Sequence, residues 1–329
     1  MKIGLALLLA LAAGKANATE LPSGSRLMHC GERALHVHEQ GKTQNDIGII
    51  LLSGPTDSWA ADSAWFVTLQ PLLAKSTITR SIDRLNHGLS AVGGDGSYAR
   101  SADDLACLIK QFPEKQHIVI AFASSNLMLL HYLDRHGSDK LKSAILIDPD
   151  GLTPAVASFY AEQAKMFQDP AIPEFVRSGK YDQRAAAKVT SDREHFLKLA
   201  GNLPYQQALL DAILAGRSDR ERIVAQMADI GRYDQDVLSA AKLSWPKNLP
   251  VWVVDTDFER LTIEQAKDEA ERQKFENWRS ENAKWMKNLP GVCYLPTKST
   301  EHLIIVEQAT MIAALGEKLL AGQSCPHSS

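Results

Sequence analysis

Three residue types that together can split an acyl bond occur in this chain in the order serine, carboxylate, histidine. Ser124 follows the apolar run Ile118-Val119-Ile120-Ala121-Phe122 and precedes Asn126-Leu127-Met128-Leu129-Leu130-His131-Tyr132-Leu133, a strand-like stretch and then a helix-like one. A strand-to-helix turn at 123–125 lifts a hydroxyl above the strand end and aims the unpaired N–H groups of the helix start at the same point. His302 lies in Ser299-Thr300-Glu301-His302-Leu303, just ahead of a helical stretch at 306–320. Between them Asp255, Asp257 and Glu259 follow another apolar strand. In such a set serine attacks, histidine takes and returns its proton, and a carboxylate fixes the imidazole tautomer. The plainer readings are that Ser124 and Ser125 only cap the helix and that His302 is a surface histidine.

The elements that must carry these residues alternate between strand and helix. Residues 26–30 and 34–39, separated by Gly31-Glu32, read as an N-terminal hairpin. Residues 47–52 form a nearly unbroken apolar run, as expected of a strand covered on both faces. A break at 53–58, a helical stretch at 65–73 and a strand at 76–82 follow. Ser101 is expected to cap the next helix, with Asp103 and Asp104 in its first turn. Further strands are expected at 144–148, 251–254 and 292–295, which predicts a mostly parallel sheet. From 151 to 245 the chain is charged, rich in alanine and glutamine and poor in strand-like runs. That stretch predicts a helical cap over the carboxyl ends of the strands, with Pro170, Pro173 and Pro204 separating its helices. Core segments at 19–150 and 246–322 flank it, and 323–329 reads as a flexible tail unless Cys325 ties it down.

The start of the chain has the form of a leader. Met1-Lys2, an apolar stretch at 3–13 and Ala16-Asn17-Ala18 predict a signal peptide over 1–18 and export to the periplasm or the medium, an uncleaved anchor being the alternative. Losing Lys2 and Lys15 with the leader takes the formal charge from −3 to −5, a balance that argues against nucleic acid or an anionic membrane surface as partner. Nothing after the leader is long and apolar enough to predict stable membrane insertion. Cys30, Cys107, Cys293 and Cys325 allow one or two disulfides in an oxidising compartment, with three connectivities if all pair; buried free thiols are the other reading. Their spacing is not that of zinc ligands, and there is no phosphate-binding loop or His-Glu-x-x-His segment, so neither metal nor organic cofactor is expected.

With these pieces in order, the chain resembles the α/β-hydrolase superfamily over 26–320. Asp83-Arg84-Leu85-Asn86-His87-Gly88-Leu89-Ser90 is similar to the superfamily's Asp-Arg-x-Gly-x-Gly-x-Ser segment, Ile145-Leu146-Ile147-Asp148-Pro149 to the strand after the nucleophile helix, and Glu301-His302 to the Gly-His of the base. The resemblance implies an α/β fold with a mostly parallel central sheet flanked by helices and a helical cap inserted after the sixth strand. It implies Ser124 as nucleophile, with Ser125 the fallback, and His302 as base. Asp257 ranks ahead of Glu259 as the acid, with Asp255 and Asp150 as outsiders. Where the family has Gly-x-Ser-x-Gly, this chain reads Phe122-Ala123-Ser124-Ser125-Asn126. The oxyanion donors implied are the N–H groups of Ser125 and, if Leu52-Ser53-Gly54-Pro55 replaces His-Gly-x-Pro, of Gly54; a register that puts Pro55 at that position would supply no donor.

The expected function is an exported serine hydrolase that cleaves a small carboxylic ester, or an amide, through an acyl-enzyme. The alternative is a catalytically degenerate protein of the same fold that binds a small apolar ligand under its cap; a lyase on the same scaffold is a third reading. Trp59, Trp65, Phe66 and Phe159 are candidates for an apolar pocket lining. In each case the partner is a small molecule, and oligomeric state is not legible in the sequence.

Overall fold

A computed structural model describes residues 20–43, 46–55 and 60–325. The leader segment, Trp59 and the last four residues lie outside the described residues. Eight strands form one sheet: β1 (Ser25–Cys30), β2 (Arg33–Gln40), β3 (Ile47–Leu52), β4 (Thr79–Ile82), β5 (Gln116–Phe122), β6 (Leu141–Ile147), β7 (Val251–Asp255) and β8 (Cys293–Pro296), in the spatial order β1-β2-β4-β3-β5-β6-β7-β8. The N-terminal hairpin pairs antiparallel, β2 joins β4 antiparallel, and every later pair is parallel.

Side chains alternate across each strand, so each apolar run feeds two cores. Ile50, Leu52, Val119 and Ala121 face one core, with Leu105 and Leu127; Ile49, Leu51, Ile118 and Ile120 face the other, with Leu69 and Ile312. The first layer contains α2 (Tyr98–Gln111) and α3 (Ser125–His136); the second contains the short α1 (Leu69–Leu73) and a C-terminal helix. Helix α2 starts a turn earlier than the sequence predicts. Ser97, not Ser101, is the cap, its hydroxyl accepting from the Arg100 N–H, and Asp104 is freed to pair with Arg33.

Six helices fall between β6 and β7: α4 (Pro154–Phe167), α5 (Ile172–Arg177), α6 (Asp182–Ala200), α7 (Gln207–Gly216), α8 (Arg220–Ile230) and α9 (Tyr233–Ala240). Thr153 caps α4 with proline at its start, and Asp219 caps α8. Pro170 and Pro204 lie between helices, whereas Pro173 sits in the first turn of α5, where a missing N–H costs nothing. A second helical excursion after β7, α10 (Glu259–Glu264) and α11 (Glu269–Lys287), packs on α4; α12 (Ile304–Glu307) and α13 (Ala309–Leu320) close the chain.

Arg217 ties the cap to the core. Its guanidinium makes two bonds to Asp62, at 2.9 and 2.7 Å, and one to Asp192 at 2.6 Å, and lies over the Trp65 ring at 4.4 Å. All four cysteines pair: Cys30–Cys107 joins β1 to α2, and Cys293–Cys325 ties the tail to β8. The bridges close spans of 77 and 32 residues. Replacing either pair by alanine is expected to lower unfolding free energy by about 2–5 kcal/mol, more for the longer span. Urea denaturation of the two double variants checks this.

Candidate active site

The carboxyl ends of β3, β5, β6 and β8 converge on one cavity of about 640 Å³ beneath the helical insertion. At the end of β5 the chain reverses into α3 within two residues. Ala123 makes that reversal with φ of +49°, in the left-handed region that few non-glycine residues adopt, and its N–H is held by the Ile147 carbonyl at 2.8 Å. The flanking positions two residues away are Ala121 and Ser125. The small-x-apex-x-small pattern is therefore Ala121-Phe122-Ala123-Ser124-Ser125, one residue earlier than the register centred on Ser124. A serine invites alignment; the backbone places alanine at the apex.

This shift relocates each residue expected at the turn. Ser124 is fully buried and stands one residue past the apex, its Oγ hydrogen-bonded to the Tyr98 hydroxyl. No hydrogen bond joins it to His302 among the described residues. Ser125 turns its Oγ back to the Leu52 and Phe122 carbonyls, at 2.9 and 2.8 Å, and acts as a staple between β3 and β5. Gly54 packs so closely on the turn that a Cβ there would come within 2.5 Å of the Ser124 nitrogen. In this register the N–H beside the apex belongs to Ser124, which replaces Ser125 as the candidate oxyanion donor. Phe122, awkward at a glycine position, is at ease at an x position, where its ring meets His302 at 4.9 Å.

His302 lies in the cavity wall between the Phe122 and Phe258 rings, the second at 4.2 Å. Its Nδ1 is 3.2 Å from Asp148 Oδ2. Asp148, not Asp257 or Glu259, is the carboxylate that the structure brings to His302. Asp148 ends β6 with φ of +45°, and its carboxylate also accepts the Thr256 N–H and hydroxyl, both at 2.7 Å. Asp257 points to solvent and lies 3.5 Å from Arg260. Glu259 is buried at the start of α10, 3.4 Å from Arg279, and Asp255 is bound bidentately by that same arginine and by Tyr294. All three are turned away by the Arg279 cluster or by solvent. Asp148 stood in the segment already matched to the superfamily; its position at a strand end beside Pro149 is the signal that could have found it.

Opposite His302 the wall carries Asp150, which accepts from Tyr160 at 2.5 Å and from Tyr233. Burial pushes its carboxyl up, partly offset by the two tyrosines. Burial likewise raises the Tyr98 phenol to about 12, so it stays a proton-bearing donor or acceptor. Of the aromatic residues expected to line a pocket, Phe159 does so, while Trp65 and Phe66 are buried in the core below. His87, from the segment matched to the superfamily after β4, also reaches the cavity, its pKa lowered by burial and by Arg84.

A bonded Ser-His-Asp chain does occur elsewhere. Ser25 Oγ is 2.9 Å from His36 Nε2, and His36 Nδ1 is 2.7 Å from Asp83. Although burial opposes it, His36 helps hold the Asp83 carboxyl down at about 2, and Asp83 also accepts from Ser63 and Leu89. It does not line the 640 Å³ cavity, and it serves as a cross-link within the hairpin end of the sheet.

No protein-family model and no curated protein matches the sequence. Solved structures do. An epoxide hydrolase, VrEH1 from Vigna radiata, is 12% identical with a TM-score of 0.64, over 91% of this chain and 98% of that one. Cfl2 from Burkholderia cenocepacia is 18% identical with a TM-score of 0.60, over 89% and 94%. A thermophilic esterase from Thermogutta terrifontis is 14% identical with a TM-score of 0.53, over 88% and 94%. The chain has the α/β-hydrolase fold. Both the parallel sheet and the insertion after β6 were expected from sequence, and both stand. Within that fold this chain departs at the strand–helix apex, which holds a methyl group, and retains an imidazole–carboxylate pair beside it.

Burial pushes the Glu259 carboxyl up to about 8, against the pull of Arg279. The folded state therefore favours the protonated acid, whereas the unfolded chain ionises near the ordinary 4.5. Stability drawn from this site falls as pH rises through the interval between those values. Glu259→Gln is expected to remove that decline, so the variant gains Tm over wild type progressively from about pH 5 to pH 8. Thermal unfolding across that range measures it.

Proposed function

We propose that this protein is a hydrolase in which His302, oriented by Asp148, acts as general base toward water, without a covalent acyl-enzyme. The observation that carries this reading is the His302–Asp148 contact in the wall of a cavity whose strand–helix apex is Ala123. A methyl group cannot attack, yet it leaves room beside the imidazole for a water. His302 takes a proton from that water as its oxygen adds to the acyl carbon, and the proton then passes to the departing alkoxide. The products are a carboxylic acid and an alcohol. The Ser124 N–H, at the start of α3, is the donor proposed for the developing oxyanion. Aromatic walls (Phe258, Trp278) and the buried Asp150 favour a small, uncharged ester over an anion. The hydrolases among the structurally similar proteins support a hydrolytic role, and the two disulfides support an exported protein.

A second reading, Ser124 as nucleophile, draws on its bond to Tyr98, a partner able to accept the serine proton's hydrogen bond. The two separate cleanly. On the water mechanism, His302→Ala and Asp148→Asn lower kcat on p-nitrophenyl butyrate by about 10² or more. Ser124→Ala then stays within about threefold, and the wild type takes no fluorophosphonate label. Ala123→Ser is expected to gain that label, because it puts a hydroxyl at the apex beside His302. Labelling of wild type that vanishes in Ser124→Ala would establish the serine mechanism instead.

A further inference from the structure

The helical insertion encloses a second cavity of about 340 Å³, within the range of about 300–1,000 Å³ that small-ligand sites occupy. Its walls come from α4, α5, α6 and α8, and its apolar part is made by Ile172, Val176, Met227 and Ile230. Met166 and Phe175, two of the few large apolar side chains exposed on the molecule, also line it. Charge on the walls is one-sided. Arg184, Lys188 and Asp192 recur every four residues along α6 and so share a face, and Lys180 stands one turn before them. Asp192, the one carboxylate among the described lining residues, is taken by Arg217, whose own charge is matched by Asp62 and Asp192. Lys180 and Arg184 have no carboxylate within ion-pair distance among the described residues. An apolar pocket edged by cations of this kind complements a ligand with an alkyl body and one anionic end.

We propose that this cavity is a binding site for a medium-chain aliphatic carboxylate, its chain on Ile172, Val176, Met227 and Ile230 and its head group at Lys180 and Arg184. Met166 and Ile230 also line the larger cavity, so the ligand lies against the wall of the candidate active site. The proposal does not rest on the hydrolytic reading, since it concerns binding alone. Carboxylates released by ester cleavage next door and carboxylates taken from solution share this chemistry.

Calorimetric titration with decanoate, below its micelle concentration, tests it on the intact chain, with decanol and decyltrimethylammonium as comparators. Saturable binding of decanoate in preference to both is expected. Lys180→Glu with Arg184→Glu should weaken it about tenfold or more. Met227→Trp, which fills the cavity, should abolish it, and His302→Ala should leave it intact. Circular dichroism and thermal unfolding establish that each variant is folded. Decanol binding as tightly as decanoate, or decanoate indifferent to the charge reversal, would overturn the head-group assignment. Binding that survives Met227→Trp but is lost in His302→Ala would place the ligand in the other cavity and overturn the proposal. Turnover of p-nitrophenyl decanoate by the wild type then separates the sources. Hydrolysis that releases decanoate marks the enzyme's own acid, and no hydrolysis of that ester marks an acid from solution.

Discussion

The backbone reversal at Ala123 is the constraint on which the site depends. A strand can hand over to a helix in two residues only if one of them adopts a left-handed angle, and a side chain there costs of order 1–3 kcal/mol. Alanine has the smallest side chain that can bear it. Everything around the turn serves to hold it: Ile147 binds the Ala123 N–H, Ser125 staples β3 to β5, and Gly54 leaves the space that any Cβ would fill. The strain is retained although the usual reason for it, exposing a nucleophile's oxygen, is gone from the apex.

Beside the turn stands an imidazole–carboxylate pair that is itself firmly held. Asp148 also sits at a positive φ, at the end of the neighbouring strand, and is fixed by two bonds from Thr256 before it meets His302. Two aromatic rings confine the imidazole. A contact supported from three directions holds the imidazole in one orientation at the cavity wall, as the proposed base requires. The Ser25–His36–Asp83 chain shows the contrast: its imidazole–carboxylate bond is the shorter of the two, yet it lies away from the larger cavity and acts as a structural cross-link. Location, more than the bonding pattern, separates a site from a buttress.

Much of the scaffold was legible because apolar runs report strands directly. Residues 47–52 coincide with β3, and the runs before Ser124 and after Pro250 match β5 and β7 to within a few residues. The insertion after β6 was legible from its loss of strand-like pattern. The site was legible only in part. His302 stood out because a histidine between a strand and a helix has a recognisable setting, and the structure places it in the cavity wall. The hydroxyl of Ser124 is visible in sequence, whereas the positive backbone angle of the preceding Ala123 is not. Asp148 is 154 residues from His302, and nothing local marks their meeting. Helix α11 was missed because its sequence, from Glu269 to Lys287, is dominated by charges and has few apolar positions to betray a period.

The Arg217 ion cluster has a further meaning for the kinetics of ligand exchange. It joins the core at Asp62 to the insertion at Asp192 while almost entirely out of water. Parting Arg217 from Asp62 gives up two charge-assisted hydrogen bonds, each worth about 1.5–3 kcal/mol. A hinge-like swing of the insertion that broke it would be sampled in well under one molecule in a hundred at any instant. Entry and exit at the larger cavity would then depend on rearrangements of side chains at its rim rather than on opening of the roof. Residence time would be governed by the girth of the ligand more than by its affinity.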